Sequence, residues 1–395
     1  MSAPVRSLLF STLYPSSARP GHGLFVETRL RELLGSGCVE AQVVAPVPWF
    51  PSTHPRWGDW ARMAATPRRE ERHGIRIEHP RYLLPPKIGQ NVHPYVLALG
   101  ALPTIRRLQR EGFDFDLIDA HFFYPDGVAA SLLSRWLGKP FVCTARGSDI
   151  NLYRQFPWPR RLIQQTLQRS QGNIGVSADL VRSLVELGAP PERCHVMRNG
   201  VDLARFQPLD RQASRRALGL REDGLLLLSV GHLVELKGHH LVIEMLVHRA
   251  EARLVIVGSG AERGALEALA RRLNVTERVH FAGQQPSEAL KTWFSAADAL
   301  VLASSREGWA NVLLESMACG TPVVATAVNG TPEVVASADA GQLAAQRDVP
   351  HLLDSLQRLL AAYPERTAVR RYAEGFSWQA TTEAQCRLFE SIVDR

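Results

Sequence analysis

The chain has 395 residues, of which 45% are hydrophobic and 22% charged. That length predicts two domains of ordinary size, and the composition excludes a disordered or fibrous protein. The 46 basic residues outnumber the 39 acidic ones, which gives a formal net charge of +7. An anionic partner is therefore expected, such as a nucleotide phosphate or an acidic membrane surface. Only four of the basic residues are lysines, and we do not interpret this arginine excess as a sign of nucleic-acid binding.

Neither a secretion signal nor a membrane span is expected. The apolar run at residues 8–10 is too short for a signal-peptide core, and prolines interrupt the longer run at residues 92–105. The five cysteines are odd in number, widely scattered and without a CxxC pair, which indicates neither a disulfide framework nor a structural zinc site. The sequence thus predicts a cytoplasmic protein, with peripheral binding to the inner face of the membrane as a further expectation.

In chain order, short Val/Leu/Ile-rich runs alternate with amphipathic stretches, which predicts parallel sheets with helices on both faces. Strands are expected at residues 7–12, 41–45, 116–120, 140–144, 172–176 and 195–197, then at 225–230, 253–257, 278–281, 299–302 and 322–325. Helices are expected at residues 25–34, 128–137, 178–187, 238–247, 261–273 and 287–297. The fold class is therefore α/β, with two Rossmann-like, doubly wound domains and ligands beyond the carboxyl ends of the strands.

Two segments are less regular. Residues 46–86 carry several prolines, three tryptophans and a basic run, and residues 153–161 read YRQFPWPRR. Aromatic and arginine side chains together suit a membrane interface or an acceptor surface. Solvated loops whose aromatic side chains cap the domain explain both segments equally well.

Candidate residues of the first domain follow its predicted strands. Gly21 and Gly23 lie in the loop before the first helix, where they would cradle a phosphate or acceptor or simply form a turn. His121 ends one strand, and Arg146 and Asp149 follow the next. Arg146 would bind an acidic group and Asp149 a hydroxyl, unless the two form a salt-bridged loop.

The first strand of the second domain leads into a glycine-bounded loop that carries a lysine. Gly231 allows close approach of a ligand to the backbone, and Lys237 can reach a phosphate as a point charge. Gly258 follows the next strand. A glycine at this position would allow either close contact of the backbone with a nucleotide or tight packing of the strand on a helix.

The most informative stretch is residues 305–333, SREGWANVLLESMACGTPVVATAVNGTPE. Glu307 lies in a predicted strand-to-helix loop, and Glu315 lies about one turn into a helix that starts near Asn311. The amide groups at that helix start favour a phosphate. Carboxylates on either side of a phosphate site would accept hydrogen bonds from sugar hydroxyls. This stretch therefore predicts a sugar-nucleotide site.

These motifs resemble those of the retaining glycosyltransferases of family 4, which have the GT-B fold of two Rossmann-like domains facing across a cleft. The resemblance covers nearly the whole chain. Its most specific parts are Glu307-x7-Glu315 with the following Gly-Thr-Pro-Val-Val-Ala, the Gly231 to Lys237 loop, and Asn199-Gly-Val-Asp. The opening motifs and the Tyr124-Pro-Asp-Gly segment resemble a subgroup that builds bacterial surface polysaccharides.

The resemblance implies an acceptor-side domain at residues 1–202, completed by a C-terminal helix at 376–395, and a nucleotide-sugar-binding domain at 203–375. Catalytic roles fall to His121, Lys237 and Glu307. Lys237 would neutralise the donor diphosphate, Glu307 would hold sugar hydroxyls and Glu315 the ribose. The donor site as a whole would comprise Gly231, His232, Lys237, Gly258, Gly283, Glu307, Asn311, Val312 and Glu315. Gly21, Gly23, Arg146 and Asp149 would form an acceptor or phosphate loop.

The implied reaction moves a sugar from a nucleotide diphosphate to a hydroxyl of a polysaccharide or lipid-linked saccharide, with retention at the anomeric carbon. Neither a cofactor nor a metal is expected, since no Asp-x-Asp motif occurs. Two residues depart from the family pattern, which often has arginine where His232 stands and histidine where Arg146 stands. These departures keep open a catalytically inactive sugar-nucleotide-binding protein, and a non-hydrolysing epimerase on the same fold is a second alternative. A dinucleotide-dependent oxidoreductase is disfavoured because Arg263 replaces the third glycine of Gly-x-Gly-x-x-Gly.

Overall fold

Residues 3–84 and 89–394 are described here from a computed structural model. Contacts divide the chain into an N-terminal unit, Met1–Arg198 with Gln379–Arg395, and a C-terminal unit, Asn199–Trp378. The predicted boundary after residue 202 thus lies four residues beyond the observed one. Residues 376–378, which the sequence assigned to the first domain, belong to the C-terminal unit.

The N-terminal unit alternates strands and helices along most of its length. Its strands are β1 (Val5–Phe10), β2 (Val39–Val44), β3 (Val47–Pro48), β4 (Arg69–Arg72), β5 (Ile75–Glu78), β6 (Arg81–Tyr82), β7 (Leu117–His121), β8 (Phe141–Ala145), β9 (Gly172–Gly175) and β10 (Cys194–Val196). Its helices before the boundary are α1 (Leu24–Gly35), α2 (Asp59–Ala65), α3 (Gly89–Arg110), α4 (Val128–Leu137), α5 (Ser148–Asn151), α6 (Pro157–Arg169) and α7 (Ala178–Glu186).

Eight of these strands form one sheet in the order β10-β9-β8-β7-β1-β2-β5-β4. All neighbours are parallel except β4 and β5, which form an antiparallel edge. The chain reverses its direction of winding between β1 and β7, so the loops that follow these two strands flank the topological switch point.

The segment at residues 46–86 is more regular than the sequence indicated. It contains α2, the β4–β5 hairpin and the short β3–β6 pair, and β5 continues the main sheet beside β2. The strands are two to four residues long, and β4 (Arg-Glu-Glu-Arg) is polar throughout, so the hydrophobic pattern is too weak to predict them. The predicted end of this segment, residues 85 and 86, lies outside the described residues.

The C-terminal unit repeats the same plan with a smaller sheet. Its strands are β11 (Leu225–Val230), β12 (Ala252–Val257), β13 (Val279–Gly283), β14 (Ala299–Leu302), β15 (Val323–Thr326) and β16 (Gly341–Ala344). The helices from residue 199 onwards are α8 (Arg211–Ala217), α9 (His239–Met245), α10 (Arg263–Arg272), α11 (Leu290–Ala296), α12 (Asn311–Ala318), α13 (Thr331–Val334), α14 (Val349–Ala361), α15 (Arg366–Glu374) and α16 (Trp378–Val393).

This sheet is wholly parallel, in the order β13-β12-β11-β14-β15-β16, with its switch point between β11 and β14. The four central strands, β12, β11, β14 and β15, are buried on both faces. Leucine, isoleucine and valine side chains of β11, β12 and β14 pack with α9, α10 and α14 in one core. The expected α/β class with two doubly wound sheets is therefore confirmed, and the switch point marks the edge at which a ligand site is expected.

Helix α16 packs on the N-terminal unit. Phe389, which is fully buried, joins Leu33, Val39 and Leu117 in a core, and Gln385 bridges Arg29 to Asp119. A disulfide bond joins Cys386 to Cys38, with 6.1 Å between their Cα atoms. The sequence did not indicate this disulfide, because 348 residues separate the two cysteines and only the fold brings them together.

Candidate functional site

Three glycines lie side by side at the carboxyl edge of the C-terminal sheet. Gly231, Gly258 and Gly283 follow or end β11, β12 and β13, and all have positive φ values, of 156°, 148° and 71°. The Gly231 amide donates a hydrogen bond to the Val257 carbonyl oxygen, and the Gly258 amide donates one to the Gly283 carbonyl oxygen. A Cβ atom on Gly258 would lie 1.8 Å from the Gly231 carbonyl oxygen, so no larger residue fits there. Because glycine has no side chain, a ligand can approach the backbone closely at this edge of the sheet.

The loop after β11 carries Lys237 to the neighbouring strand across the switch point. The loop ends in a short 3₁₀ turn at Glu235–Lys237, and Gly238 directly precedes α9 in a left-handed conformation. A Cβ atom on Gly238 would lie 2.0 Å from the Ala303 carbonyl oxygen, so the loop rests directly on the end of β14. The Ser305 amide also donates to the Leu236 carbonyl oxygen over 2.8 Å.

Lys237 and Glu307 form a close ion pair. The Lys237 ammonium lies 2.6 Å from Glu307 Oε1, and the two side chains are only 22% and 10% exposed. Ser304 donates its hydroxyl to the same carboxylate oxygen over 2.6 Å, and Thr326 donates to the Ser304 carbonyl oxygen. The Glu307 carboxylate is therefore held through Oε1, and no donor within residues 3–84 and 89–394 reaches Oε2, which suits this oxygen to a ligand hydroxyl.

Glu315 lies in α12, which begins at Asn311 close to the predicted start. Burial raises the pKa of Glu315 to about 7, and Arg205 offsets part of that effect. Among residues 3–84 and 89–394, the Glu315 carboxylate accepts no hydrogen bond. Glu315 is half-buried, and a carboxylate that keeps some access and has no donor among the described residues is suited to a ligand hydroxyl.

The start of α12 is held by contacts within the C-terminal unit. Asn199 donates its side-chain amide to Asn311 Oδ1 over 3.2 Å, and the Trp309 indole donates to the Asn199 carbonyl oxygen. Among the described residues, no side-chain oxygen caps α12. The Asn311 and Leu313 amides donate to the carbonyl oxygens of Trp309 and Ala310, so the Val312 amide is the one at this helix start best suited to an anion. His232 is exposed on the loop after Gly231.

In the N-terminal unit, His121 is only 1% exposed and both of its ring nitrogens are engaged. Arg146 donates to Nδ1 over 2.6 Å, which leaves the ring proton on Nε2, 3.3 Å from Asp119 Oδ2. Burial lowers the pKa of His121 to about 4, so the imidazole is neutral at pH 7. His121 is thus held as a neutral group with a fixed tautomer.

Arg146 is partly exposed and packs over the Phe25 ring, with 5.2 Å between the guanidinium carbon and the ring centroid. Burial, together with the nearby Arg29, lowers the pKa of Arg146 to about 9, so the group stays cationic at pH 7. It is the residue of this cluster suited to an anionic ligand group.

Asp149 does not have the geometry expected of an acceptor ligand. It is fully buried, and its carboxylate accepts hydrogen bonds from the backbone amides of Phe123, Arg146 and Gly147. Those bonds occupy both oxygens and fold the loop that presents Arg146. The sequence left hydroxyl binding and a structural loop open for Asp149, and a carboxylate with this many backbone donors has little capacity left for a ligand, which favours the structural role.

The loop between β1 and α1 contains the remaining two predicted residues. Gly21 is exposed, whereas Gly23 is buried with a φ of 72°. A Cβ atom on Gly23 would lie 2.4 Å from the Leu13 carbonyl oxygen, so this glycine is required for the turn. The structure thus supports the alternative of a simple turn at Gly23, and leaves Gly21 accessible to a ligand.

Three residues with contacts at these sites were not assigned a role from the sequence. Ser304 orients Glu307, Arg347 contacts the Lys237 loop, and buried Asp126 binds Ser11 and Thr12 across the N-terminal switch point. Ser304 directly precedes the informative 305–333 stretch, so the strand-end position was a usable signal. Arg347 lies 112 residues from its partner Glu235, and Asp126 lies 114 residues from Thr12. Spacing in the sequence does not predict contacts at such separations.

Neither a metal cluster nor a membrane span is found in the part of the chain that the structure describes. No three His, Cys, Asp or Glu side chains there are arranged to hold a metal ion. None of the described helices combines the length and hydropathy that a transmembrane span requires.

Two family models match the chain. Residues 60–205 match "Glycosyltransferase Family 4", and residues 210–376 match "Glycosyl transferases group 1". The D-inositol 3-phosphate glycosyltransferase of Frankia alni is 36% identical over 71% of this chain and 75% of that protein.

Solved structures share the fold over almost the whole chain. Sucrose-phosphate synthase from Thermosynechococcus elongatus superposes with a TM-score of 0.79, at 20% identity, over 98% of this chain and 99% of that one. Anabaena HepE in complex with UDP-glucose gives a TM-score of 0.72 at 18% identity, over 99% of both chains. The second matched segment contains Lys237, Glu307, Glu315 and the three glycines at the carboxyl edge of the C-terminal sheet.

Proposed function

The chain belongs to glycosyltransferase family 4 and is a retaining glycosyltransferase that uses a nucleotide-sugar donor, and from this premise we propose how its own residues divide the work. Lys237 binds the donor diphosphate, Glu307 binds sugar hydroxyls and Glu315 binds the ribose. The observation that carries the proposal is the Lys237–Glu307 pair beside the three glycines, at the switch point of the C-terminal sheet. We propose UDP-glucose as the first donor to test, since a structural neighbour has been solved with it.

The chemistry rests on charge that develops on the leaving diphosphate. When the bond from the anomeric carbon to the diphosphate oxygen breaks, negative charge grows on that oxygen, and a fixed cation stabilises it. In the free protein, Ser304 donates to Glu307, and Glu307 holds Lys237 in place before the donor arrives. The ammonium has further N–H groups for phosphate oxygens, and Glu307 Oε2 remains for the sugar. Both groups therefore serve the donor without first being reorganised.

For the acceptor, we propose a saccharide or cyclitol hydroxyl compound that carries an acidic group, bound by Arg146. The support is a partly exposed guanidinium, fixed by His121 and by the Phe25 ring. Two sources share this chemistry: a soluble phosphate ester, such as the D-inositol 3-phosphate of the named relatives, and a phosphate-linked lipid saccharide of polysaccharide or glycolipid synthesis. Transfer assays with D-inositol 3-phosphate, free inositol and a polyprenyl-phosphate saccharide distinguish the two sources, and transfer to free inositol alone would contradict a role for Arg146.

The exposed tryptophans of the N-terminal unit support peripheral contact with an anionic membrane. Trp57 and Trp60 pack against Phe50, Trp49 precedes it, and the three indole side chains are 38% to 51% exposed. Arg56 and Arg62 lie in the same segment. Indole rings with neighbouring cations suit a lipid headgroup layer. In a sedimentation assay with phosphatidylglycerol vesicles, the wild type should pellet with the vesicles. A Trp49→Ala/Trp57→Ala variant should stay in the supernatant. Equal binding of both proteins would contradict this surface.

The decisive experiment for the donor site is Lys237→Ala with UDP-glucose turnover and UDP titration. We expect kcat to fall at least about a hundredfold, because a transition-state charge loses its cation, and UDP affinity to fall about tenfold. Lys291→Ala, on α11, is the matched control and should keep both parameters. Unchanged kinetics in Lys237→Ala would refute the proposed site.

A further inference from the structure

We propose that Arg347 is a positioning residue for donor binding, which fixes the Lys237 loop against the end of β14 so that the ammonium and the Glu307 carboxylate meet the donor together. This inference rests on the proposed role of Lys237. Arg347 lies between β16 and α14, far from the motifs that characterise the site in the sequence.

The guanidinium of Arg347 makes three hydrogen bonds to two segments. Its Nη2 donates to the Glu235 carbonyl oxygen over 2.8 Å and its Nη1 to Glu235 Oε1 over 3.0 Å. Its Nε donates to the Ala303 carbonyl oxygen over 2.9 Å. Arg347 thus fastens the tip of the loop after β11 to the end of β14, the two strands that flank the switch point.

Each of these two anchor points is close in sequence to one partner of the ion pair. Glu235 begins the 3₁₀ turn that ends at Lys237, and Ala303 directly precedes Ser304, which donates to Glu307. A shift of either segment would therefore change the separation of the ammonium and the carboxylate. Charge-assisted hydrogen bonds from the planar guanidinium group hold such a geometry more firmly than one hydrogen bond between neutral groups does.

The position of Arg347 argues against a role in stability alone. The Arg347 side chain is 22% exposed, and its partner Glu235 is 68% exposed, so the contact sits at the accessible edge of the sheet. Exposed ion pairs contribute little to stability, whereas a displacement of about 1 Å at a binding group can cost large factors in activity.

Arg278 provides a matched control in the same unit. Its guanidinium also donates to several backbone carbonyl oxygens, those of Arg249, Ala252 and Leu246, at 2.8 to 3.2 Å. It directly precedes β13 and therefore lies at the amino edge of the sheet, opposite the ion pair. Loss of Arg278 should cost stability without affecting the donor site.

The experiment compares Arg347→Ala, Arg347→Lys and Arg278→Ala in full-length protein. The probe is UDP, GDP, ADP or TDP, whichever raises the wild-type melting temperature most, together with the corresponding sugar nucleotide. We expect Arg347→Ala to weaken nucleoside diphosphate binding and raise the donor KM about tenfold, with the acceptor KM unchanged. Arg347→Lys should rescue part of the loss, because an ammonium can replace some of the three bonds. Arg278→Ala should lower the melting temperature and keep the donor KM.

A double-mutant cycle with Lys237→Ala tests whether Arg347 acts through Lys237. In that background, Arg347→Ala should change nucleoside diphosphate affinity less than twofold, because the group that it positions is gone. A full tenfold loss in both backgrounds, or an unchanged donor KM in Arg347→Ala, would overturn the inference. If Lys237→Ala itself binds as tightly as wild type, the proposed function fails instead.

Discussion

At the scale of single residues, the requirements of binding oppose those of stability at Glu315. Burial raises the pKa of this carboxyl from its ordinary 4.5 to about 7, so the folded protein binds the proton more tightly than the unfolded chain does. An ionised Glu315 therefore reduces the free energy of unfolding. The penalty is absent below pH 4.5, grows as the pH rises from 4.5 to 7, and is complete above pH 7. Binding to ribose hydroxyls, by contrast, favours the ionised acceptor.

We therefore expect Glu315→Gln to stabilise the free protein and weaken the donor complex. At pH 8 the free energy of unfolding should rise by about 2 kcal/mol, and the gain should shrink towards pH 5, since wild-type Glu315 is then protonated. Donor affinity at pH 8 should fall at the same time. Denaturant unfolding at several pH values checks the first effect, with the exposed Glu288→Gln as control. A gain that is the same at pH 5 and pH 8 would contradict the explanation.

At the scale of secondary-structure elements, the carboxyl edge of the C-terminal sheet depends on close backbone contacts between adjacent strand ends. Gly258, after β12, packs against the backbone after β11, and Gly238, just before α9, packs against the residue that follows β14. These contacts bring the loops of different strands to one edge, so the site is a property of the sheet rather than of any one loop.

Gly258→Ala should therefore destroy the site, whereas Gly264→Ala should be harmless. A Cβ at Gly258 would lie 1.8 Å from a carbonyl oxygen, while nothing lies within 4 Å of one at Gly264, near the start of α10. We expect Gly258→Ala to lose donor binding and much of its stability, and Gly264→Ala to gain up to about 1 kcal/mol from helix propensity. Thermal unfolding and nucleoside diphosphate titration measure both. Normal donor binding by Gly258→Ala would show that this edge is not the site.

The attachment of α16 to the N-terminal unit gives a second prediction at this scale. The Cys38–Cys386 disulfide closes a loop of 348 residues, which in the chain-entropy view stabilises the fold by up to about 5 kcal/mol. Cys386→Ser should lower the melting temperature and abolish its dependence on reductant, whereas Cys194→Ser, which removes a free thiol, should do neither. A melting temperature that is insensitive to reductant in the wild type would contradict the bond.

At the scale of the whole molecule, donor binding and unfolding are linked. A ligand that binds only the folded protein, present at a hundred times its dissociation constant, adds about 2.7 kcal/mol to the free energy of unfolding. In thermal-shift measurements with UDP-, GDP-, ADP- and TDP-sugars, the sugar nucleotides of one base should therefore clearly raise the melting temperature of the protein. The increase should disappear in Lys237→Ala. No increase with any of the four donors would contradict a nucleotide-sugar site.

The sequence by itself determined the fold class and most strands of the two parallel sheets, because fully buried parallel strands and amphipathic helices have distinct hydrophobic patterns. It did not predict α6, α14 or β16. It also identified Lys237 and Glu307 as candidates, since each follows a strand in a loop with glycine. It missed the hairpin of β4 and β5, whose residues are largely polar, and it could not show that backbone amides donate to the Asp149 carboxylate, because no pattern specifies such partners.

Only the tertiary structure decided which residues meet. Lys237 contacts Glu307 across 70 residues, Arg347 reaches the Lys237 loop across 112, and Cys38 bonds Cys386 across 348. Such contacts depend on the order of strands in a sheet and on the packing of the final helix. Hydrophobic periodicity reports whether a residue is buried, but not which distant residue lies beside it.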